Sequence, residues 1–376
     1  MTVTGRQALP RSKRLVVKLG TGALTRGAGR FDRLHFESLS ADLVEAGKNR
    51  QLLIVSSGAI ALGVERLKLK ARPSDIPGKQ ACAAVGQSSL MRAYEEAFDA
   101  KGRVVAQVLL THEDVQDRRR YLNARHALER LLVEGVVPII NENDTVSVDE
   151  IRFGDNDTLA GLVAGLVEAD TLVILSDVEA LFEADPRKVP GAKRIAEVHE
   201  VSPALLARAG GSGTSLGTGG MDTKLKAAGR AREQGIRTVI ASGHLPGTLR
   251  RVLAGEDVGT LFEPATQRRD ARTAWIAHAL KPRGKLRVDE GAKKAVVELK
   301  RSLLPSGLLE VIGNFSQGDP VDLIDPSGVA FARGLAAYPA DELRKIAGKQ
   351  SGEIEQILGY RYLDDAVHRD DLAILG

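Results

Sequence analysis

Gly217, Thr218, Gly219, Gly220, Met221, Asp222, Thr223 and Lys224 follow one another, joining a flexible backbone, closely spaced amide donors and a fixed positive charge. A polyphosphate needs those parts. Glycines let successive N–H groups approach an anion with no Cβ in the way, and a helix read over residues 224–234 would add favourable partial charge at its N-terminus. The run is not a P-loop, which ends Gly-Lys-Ser/Thr, and a glycine-rich run by itself also describes a surface loop. A second lysine changes the balance. Lys18 interrupts the apolar run Val16-Val17-Lys18-Leu19 and is followed by Gly20 and Gly22. A charge in such a strand is costly unless its head reaches a polar site, although a snorkelling strand-end lysine is the blander account. Together Lys18 and Lys224 would supply the positioning and charge stabilisation on which phosphoryl transfer depends. Two cations held close call for an anion between them.

Two clusters can provide that anion and hold a second substrate. Asn141-Glu142-Asn143-Asp144 follows a strand read over 136–140, and Gly154-Asp155-Asn156-Asp157 precedes a helix read over 158–168. Asn and Asp also favour turns and caps, so Asp157 could simply cap that helix. The two clusters flank residues 145–153, too polar for a core, and together they suit a pocket for an amine. Ser56-Ser57-Gly58-Ala59 ends another strand and opens a helix, where hydroxyl and amides could hold a carboxylate.

The elements that must position these residues alternate. Short apolar runs at 14–19, 51–56, 104–110, 136–140, 171–176 and 238–241 read as strands, and 34–47, 80–100, 121–134, 158–168 and 224–234 read as helices. That alternation predicts an α/β fold: an open, mainly parallel sheet with helices on both faces, binding ligands at the carboxyl ends of its strands. Texture changes after Phe262. The segment 264–283 reads as a linker carrying one short helix around Trp275. Short strands at 308–314, 320–324 and 329–334, with a helix at 291–300, then indicate a small, mostly β domain over 284–370. The catalytic domain would span 14–263, and 1–13 reads as a loose leader.

The chain has 376 residues, 43% of them hydrophobic and 4% aromatic, enough for two domains with aliphatic cores. A formal charge of +4 suits an anionic ligand without demanding nucleic acid. Cys82 is the only cysteine, so an intrachain disulfide and a Cys-based metal site are excluded, and a reducing cytoplasm fits. In its run of small apolar residues Cys82 reads as a buried structural thiol. No apolar run approaches the ~20 residues of a membrane-spanning helix.

From about Arg14 to the C-terminus the chain resembles the amino-acid kinase family, in its glutamate-phosphorylating branch. The resemblance rests on Val-Val-Lys18-Leu-Gly-Thr, Ser57-Gly-Ala-Ile-Ala, Ile-Asn-Glu-Asn-Asp144, Gly-Asp155-Asn156-Asp157, Ala184-Asp185-Pro186-Arg187 and Gly-Thr218-Gly-Gly-Met-Asp-Thr-Lys224, in that order. Gly313-Asn314-Phe315-Ser316-Gln317-Gly318-Asp319 and Ala332-Arg333-Gly334 are similar to the PUA domain that many bacterial members append. The resemblance implies ATP-dependent phosphorylation of the side-chain carboxylate of L-glutamate, the first step of proline biosynthesis, with Mg2+ carried by ATP rather than by protein side chains. It implies Lys18 and Lys224 as catalytic lysines oriented by Asp157. Nucleotide binding would fall to Lys18, Gly20, Ser176, Asp177 and Thr218, Gly219, Gly220, Met221, Asp222, Thr223 and Lys224, and glutamate binding to Ser57, Asp144 and Asn156. It further implies feedback inhibition by proline, self-association into a homo-oligomer and hand-over of the product to glutamate-5-semialdehyde dehydrogenase.

Two positions depart from the family's pattern. Ser176 stands where threonine is expected and keeps the hydroxyl. Asp222 puts negative charge in the nucleotide loop, so it should point away from the phosphates or toward the metal. Within the family the competing acceptors are aspartate, N-acetylglutamate, carbamate and a nucleotide monophosphate. Outside it the alternative is RNA binding, through Arg283, Lys285, Arg287, Lys293, Lys294, Lys300 and Arg301. No aromatic stacking platform accompanies those charges, which also describe a solvated basic face.

Overall fold

Runs of valine, leucine and isoleucine with no polar alternation belong in strands covered on both faces. The computed structural model describes residues 4–26, 30–147, 156–186, 188–209, 220–265, 276 and 281–375. The chain divides into two compact units, residues 1–117 with 123–268 and residues 118–122 with 269–376.

In the first unit the strands are β1 (Arg14–Leu19), β2 (Thr25–Arg26), β3 (Arg30–Phe31), β4 (Gln51–Ser56), β5 (Val105–Leu110), β6 (Val137–Glu142), β7 (Thr171–Ser176), β8 (Glu197–Val198), β9 (Arg237–Ser242) and β10 (Thr260–Phe262). Apart from the β2–β3 hairpin they form one sheet among the described residues, in the order β5-β6-β4-β1-β7-β9-β10-β8. Its first six strands run parallel, and β10 turns back antiparallel to β9. Leu15, Val17 and Leu19 pack with Ile54, Val173 and Val239 on one face. Val16, Leu53, Val55, Leu172 and Ile174 are equally buried on the other. The mainly parallel α/β architecture read from the sequence is therefore the one present.

Parallel strands bring their carboxyl ends to one edge. Register sets Lys18 between Val55 and Ile174, Leu19 beside Ser56, and Ser176 beside Ser242. Helix Ala59–Arg66, which begins just past Ser57, meets helix Ile76–Asp99 at backbone contact. A Cβ on Gly63 would lie 1.8 Å from the Cys82 carbonyl oxygen, and one on Gly86 would lie 1.7 Å from that of Ala59. Only glycine permits that approach. Cys82 is buried in this packing, as its apolar setting suggested.

Several boundaries differ from the sequence reading. The segment 1–13 is not loose where it is described. Gly5–Arg11 forms a 3-10 helix, Leu9 is fully buried in the sheet's core, and the Arg6 guanidinium donates to the carbonyls of Ala196, Glu256, Val258 and Gly259. One arginine finding four acceptors is what ties the segment down. The helix expected from residue 224 begins at Met221, because Gly220 takes the N-cap and Asp222 suits the positive end of the helix. The helix expected from residue 158 begins at Asn156, so Asp157 lies within its first turn rather than capping it. The helix expected around Trp275 lies outside the described residues.

The second unit has strands β11 (Gly284–Val288), β12 (Leu308–Gly313), β13 (Pro320–Ile324), β14 (Ala330–Leu335) and β15 (Leu372–Ile374), in the order β12-β11-β13-β14-β15. Leu286, Val288, Val321, Leu323, Tyr338, Leu343 and Ile354 form its core. β15 continues the sheet beyond residue 370, where the sequence reading ended the domain. Among the described residues no helix is long and apolar enough to cross a membrane.

Candidate active site

β1 carries Lys18 to the carboxyl edge of the sheet, and helix Met221–Glu233 carries Lys224 to the same place. Both side chains are buried, and both ammonium groups meet one carboxylate. Lys18 Nζ lies 2.6 Å from Asp157 Oδ1 and Lys224 Nζ lies 3.1 Å from Asp157 Oδ2. Thr223 Oγ1 donates to Asp157 Oδ2 at 2.8 Å. Asp157 is only 1% exposed, so desolvation would push its carboxyl up. The Lys18 and Lys224 charges, with the hydrogen bonds from Lys18 and Thr223, overcome that and hold it well below the usual carboxylate range. The anion called for between the two lysines is thus Asp157. The arrangement sets two cations side by side at the strand ends without mutual repulsion dominating, and so suits an entering polyanion.

A neutral network adjoins it. Asn156 Nδ2 donates to Ser57 Oγ at 2.9 Å, to Asn141 Oδ1 at 3.0 Å and to the Ser56 carbonyl at 3.3 Å. Asn141 Nδ2 donates to Gln87 Oε1 at 2.9 Å. Ser147 Oγ donates to Glu142 Oε1 at 3.1 Å. Asp144 is half-buried, and burial pushes its carboxyl up to about 6, with the Arg72 guanidinium pulling the other way. The structure therefore gathers Ser57, Asn141 and Asn156 directly. Asn156 and Asp157, neighbours in sequence, face the neutral and charged halves of the edge respectively.

On the far side of β1, Ser176 Oγ donates to Asp177 Oδ1 at 2.8 Å where β7 ends. Gly20 follows Lys18 so closely that a Cβ there would stand 3.3 Å from the ammonium nitrogen. Gly220, Met221, Asp222 and Thr223 open the helix that carries Lys224. Asp222 lies 2.8 Å from Lys226 one turn on, an intrahelical pair that draws its charge along the helix surface. Thr218 and Gly219, with Gly154, Asp155 and Arg187, lie outside the described residues.

Three residues contribute in ways the sequence reading did not assign. Gln87 sits in helix Ile76–Asp99 on a face otherwise made of Ala83, Leu90 and Met91, and its burial there becomes visible only once the helix is packed. Thr223 is expected from the resemblance at the nucleotide, and it binds Asp157 as well. Arg72 lies in a loop between helices, and nothing in its surroundings marks it.

The chain matches the amino acid kinase family over residues 13–242 and the PUA domain over residues 284–358. It is 66% identical over 372 residues to the glutamate 5-kinase of Myxococcus xanthus, covering 99% of each chain. Against the glutamate 5-kinase of Anaeromyxobacter dehalogenans it is 53% identical over 374 residues, covering 98% of each. A solved UMP kinase from Bacillus anthracis aligns with 68% of this chain and 97% of its own, at 19% identity and a TM-score of 0.46.

Proposed function

The chain belongs to the amino acid kinase family, and from that membership and the geometry of the sheet edge we propose that it transfers the terminal phosphoryl group of ATP to the side-chain carboxylate of L-glutamate. The product would be L-glutamyl 5-phosphate, opening proline biosynthesis in the cytoplasm. The observation that carries this reading is the meeting of Lys18 and Lys224 on Asp157, one residue from the amide that binds Ser57.

A carboxylate attacking a phosphate brings two anions together, so the site must neutralise charge more than it must activate a nucleophile. A glutamate side-chain oxygen forms the new bond to the terminal phosphorus while the bond to the bridging oxygen breaks and ADP leaves. The nucleophile is already ionised, and no general base is needed. Lys18 lies against the transferring group, while the Gly20 N–H is taken up by the Leu175 carbonyl at 3.0 Å. Lys224 offsets charge from the opposite side, and Asp157 keeps both ammonium groups aimed. Ser176, Asp177 and the segment 218–224 hold the nucleotide.

Mg2+ would enter with the nucleotide rather than on a protein cage, which asks for few protein ligands. The residues of the edge, two lysines with hydroxyl and amide donors, are suited to phosphate oxygens. When bound, the cation would offset charge on the phosphates.

Ser57, Asp144 and Asn156 take the amino acid. Among the described residues Asn156 Oδ1 is buried without a hydrogen-bond partner, an acceptor suited to an ammonium group, and Asp144 would add a carboxylate. An acylated amine could not satisfy both. The same reading extends to proline as a feedback inhibitor, to a homo-oligomer and to delivery of the short-lived acyl phosphate to glutamate-5-semialdehyde dehydrogenase. RNA binding by the second unit is not favoured: Arg287 pairs with Glu310 at 2.8 Å and Lys293 with Asp325 at 2.9 Å, so part of its basic face is neutralised.

Trapping the acyl phosphate with hydroxylamine, in the presence of ATP and Mg2+, tests the reading across glutamate, aspartate and N-acetylglutamate, with ADP release followed for carbamate and UMP. Hydroxamate from glutamate at the highest kcat/KM is the expected result. A higher kcat/KM for another acceptor would replace it.

A further inference from the structure

The backbone N–H of Glu142 can only donate, and it donates to Asn141 Oδ1 at 2.9 Å. That bond settles which end of the Asn141 carboxamide is oxygen. Asn141 Nδ2 must then donate elsewhere, and it reaches Gln87 Oε1 at 2.9 Å. Asn141 Oδ1 also accepts from Asn156 Nδ2, while the Ser56 carbonyl, an acceptor only, independently demands the same orientation of Asn156. Two backbone groups therefore dictate how three carboxamides face. Left over at the ends are Gln87 Nε2 and Asn156 Oδ1, both buried and without a hydrogen-bond partner among the described residues.

Gln87 is only 9% exposed and flanks Gly86, the residue that seats its helix directly on Ala59. Burying an amide on an apolar helix face is unfavourable unless its groups are paired. One half of this amide is paired, with Asn141.

We propose that Gln87 is a positioning residue for amino-acid recognition: by accepting from Asn141 Nδ2 it holds Asn141, and through it Asn156, in the arrangement that leaves Asn156 Oδ1 open to the substrate's ammonium group. The inference deepens the glutamate reading above and rests on it. Without an acceptor at position 87 Asn141 Nδ2 is left buried and unpaired, so the Asn141 amide shifts toward another acceptor and loosens its hold on Asn156, whose Oδ1 is then no longer kept in place for the ammonium group. The consequence is specific to the amine, so preference for glutamate over N-acetylglutamate depends on Gln87 while nucleotide binding does not.

Steady-state kinetics of Gln87→Met and Gln87→Glu, with thermal melting of each, test this. The Met variant keeps the volume and removes the acceptor, and should raise KM for glutamate about tenfold while KM for ATP stays within about twofold. Its preference for glutamate over N-acetylglutamate should narrow by a similar factor. The Glu variant offers an acceptor oxygen in either protonation state and should return KM for glutamate to within about threefold of the unsubstituted chain. The proposal is overturned if Gln87→Met leaves KM for glutamate unchanged, if KM for ATP rises in step, or if Gln87→Glu is as impaired as Gln87→Met. Should Gln87→Met fail to fold, Gln87→Glu decides alone: near-normal KM supports the proposal and a rise beyond about tenfold ends it. An unsubstituted chain that turns over no glutamate would instead remove the glutamate reading itself.

Discussion

Two halves of one sheet edge bury polar groups in opposite ways. Around Asp157 full charges face each other, Lys18 at 2.6 Å and Lys224 at 3.1 Å. Around Asn156 the partners are neutral: Ser57, Asn141 and, through Asn141, Gln87. The charged half supplies a field, which acts in any direction and grows as water is excluded. The neutral half supplies orientation, since an amide dipole favours a ligand only in one pose. Helix Asn156–Leu166 serves both, because successive residues of a helix point roughly 100° apart. Under the proposed function, charge-driven transfer and pose-driven recognition would sit side by side without sharing a side chain.

If that division holds, damage to the charged half should be the more severe. Lys18→Ala or Lys224→Ala should lower kcat by about a thousandfold or more with the circular-dichroism spectrum unchanged. Asp157→Asn should in addition cost about 3–5 kcal/mol in urea unfolding, since it removes the carboxylate that both ammonium groups contact. Wild-type turnover in both lysine variants would erase the distinction between the halves.

Gly86→Ala bears on the neutral half through its support. A methyl group 1.7 Å from the Ala59 carbonyl forces the two helices apart, and overpacking of this kind costs about 1–3 kcal/mol. The accompanying rise in KM should be confined to glutamate.

Acid sharpens the comparison further. The Asp157 carboxyl is held below its ordinary range, so its contribution to stability is complete above about pH 4 and is lost only as pH falls through the lowered value. Asp144 behaves in the opposite sense. Its value of about 6 lies above the ordinary one, so native stability declines as pH rises toward 6 while the ionised form suited to an ammonium group accumulates. KM for glutamate should therefore fall as pH rises through about 6, with KM for ATP much less affected, and Asp144→Asn should flatten the profile.

The smallest effect belongs to Ser57→Ala. It removes one of three acceptors around Asn156 Nδ2 and should raise KM for glutamate about three- to tenfold, consistent with loss of a single neutral hydrogen bond.

What was legible in the sequence follows the same physics. β1, β4 and β7 begin and end where their aliphatic runs do, because a strand covered on both faces has no freedom to be polar. β8 and β10 escaped notice: two and three residues carry no periodicity, and their pairing comes from distant segments. β15, also three residues long, escaped for the same reason. The site's charged half showed itself through lysines in unlikely company. Gln87 did not, since one polar residue within a long helix resembles a surface position until the packing is known. The docked N-terminal segment was hidden likewise, its anchor being carbonyl groups some 190 to 253 residues away.

That anchor has a consequence for biogenesis. Arg6 takes its acceptors from Ala196 and from Glu256 to Gly259, so the segment around Arg6 finds its final partners only after almost the whole first unit has been translated. Until then Leu9 has no completed core to enter. Head and tail of the unit lock together last, and a bulky fusion placed directly ahead of Arg6 would interfere with that late step rather than with the chemistry.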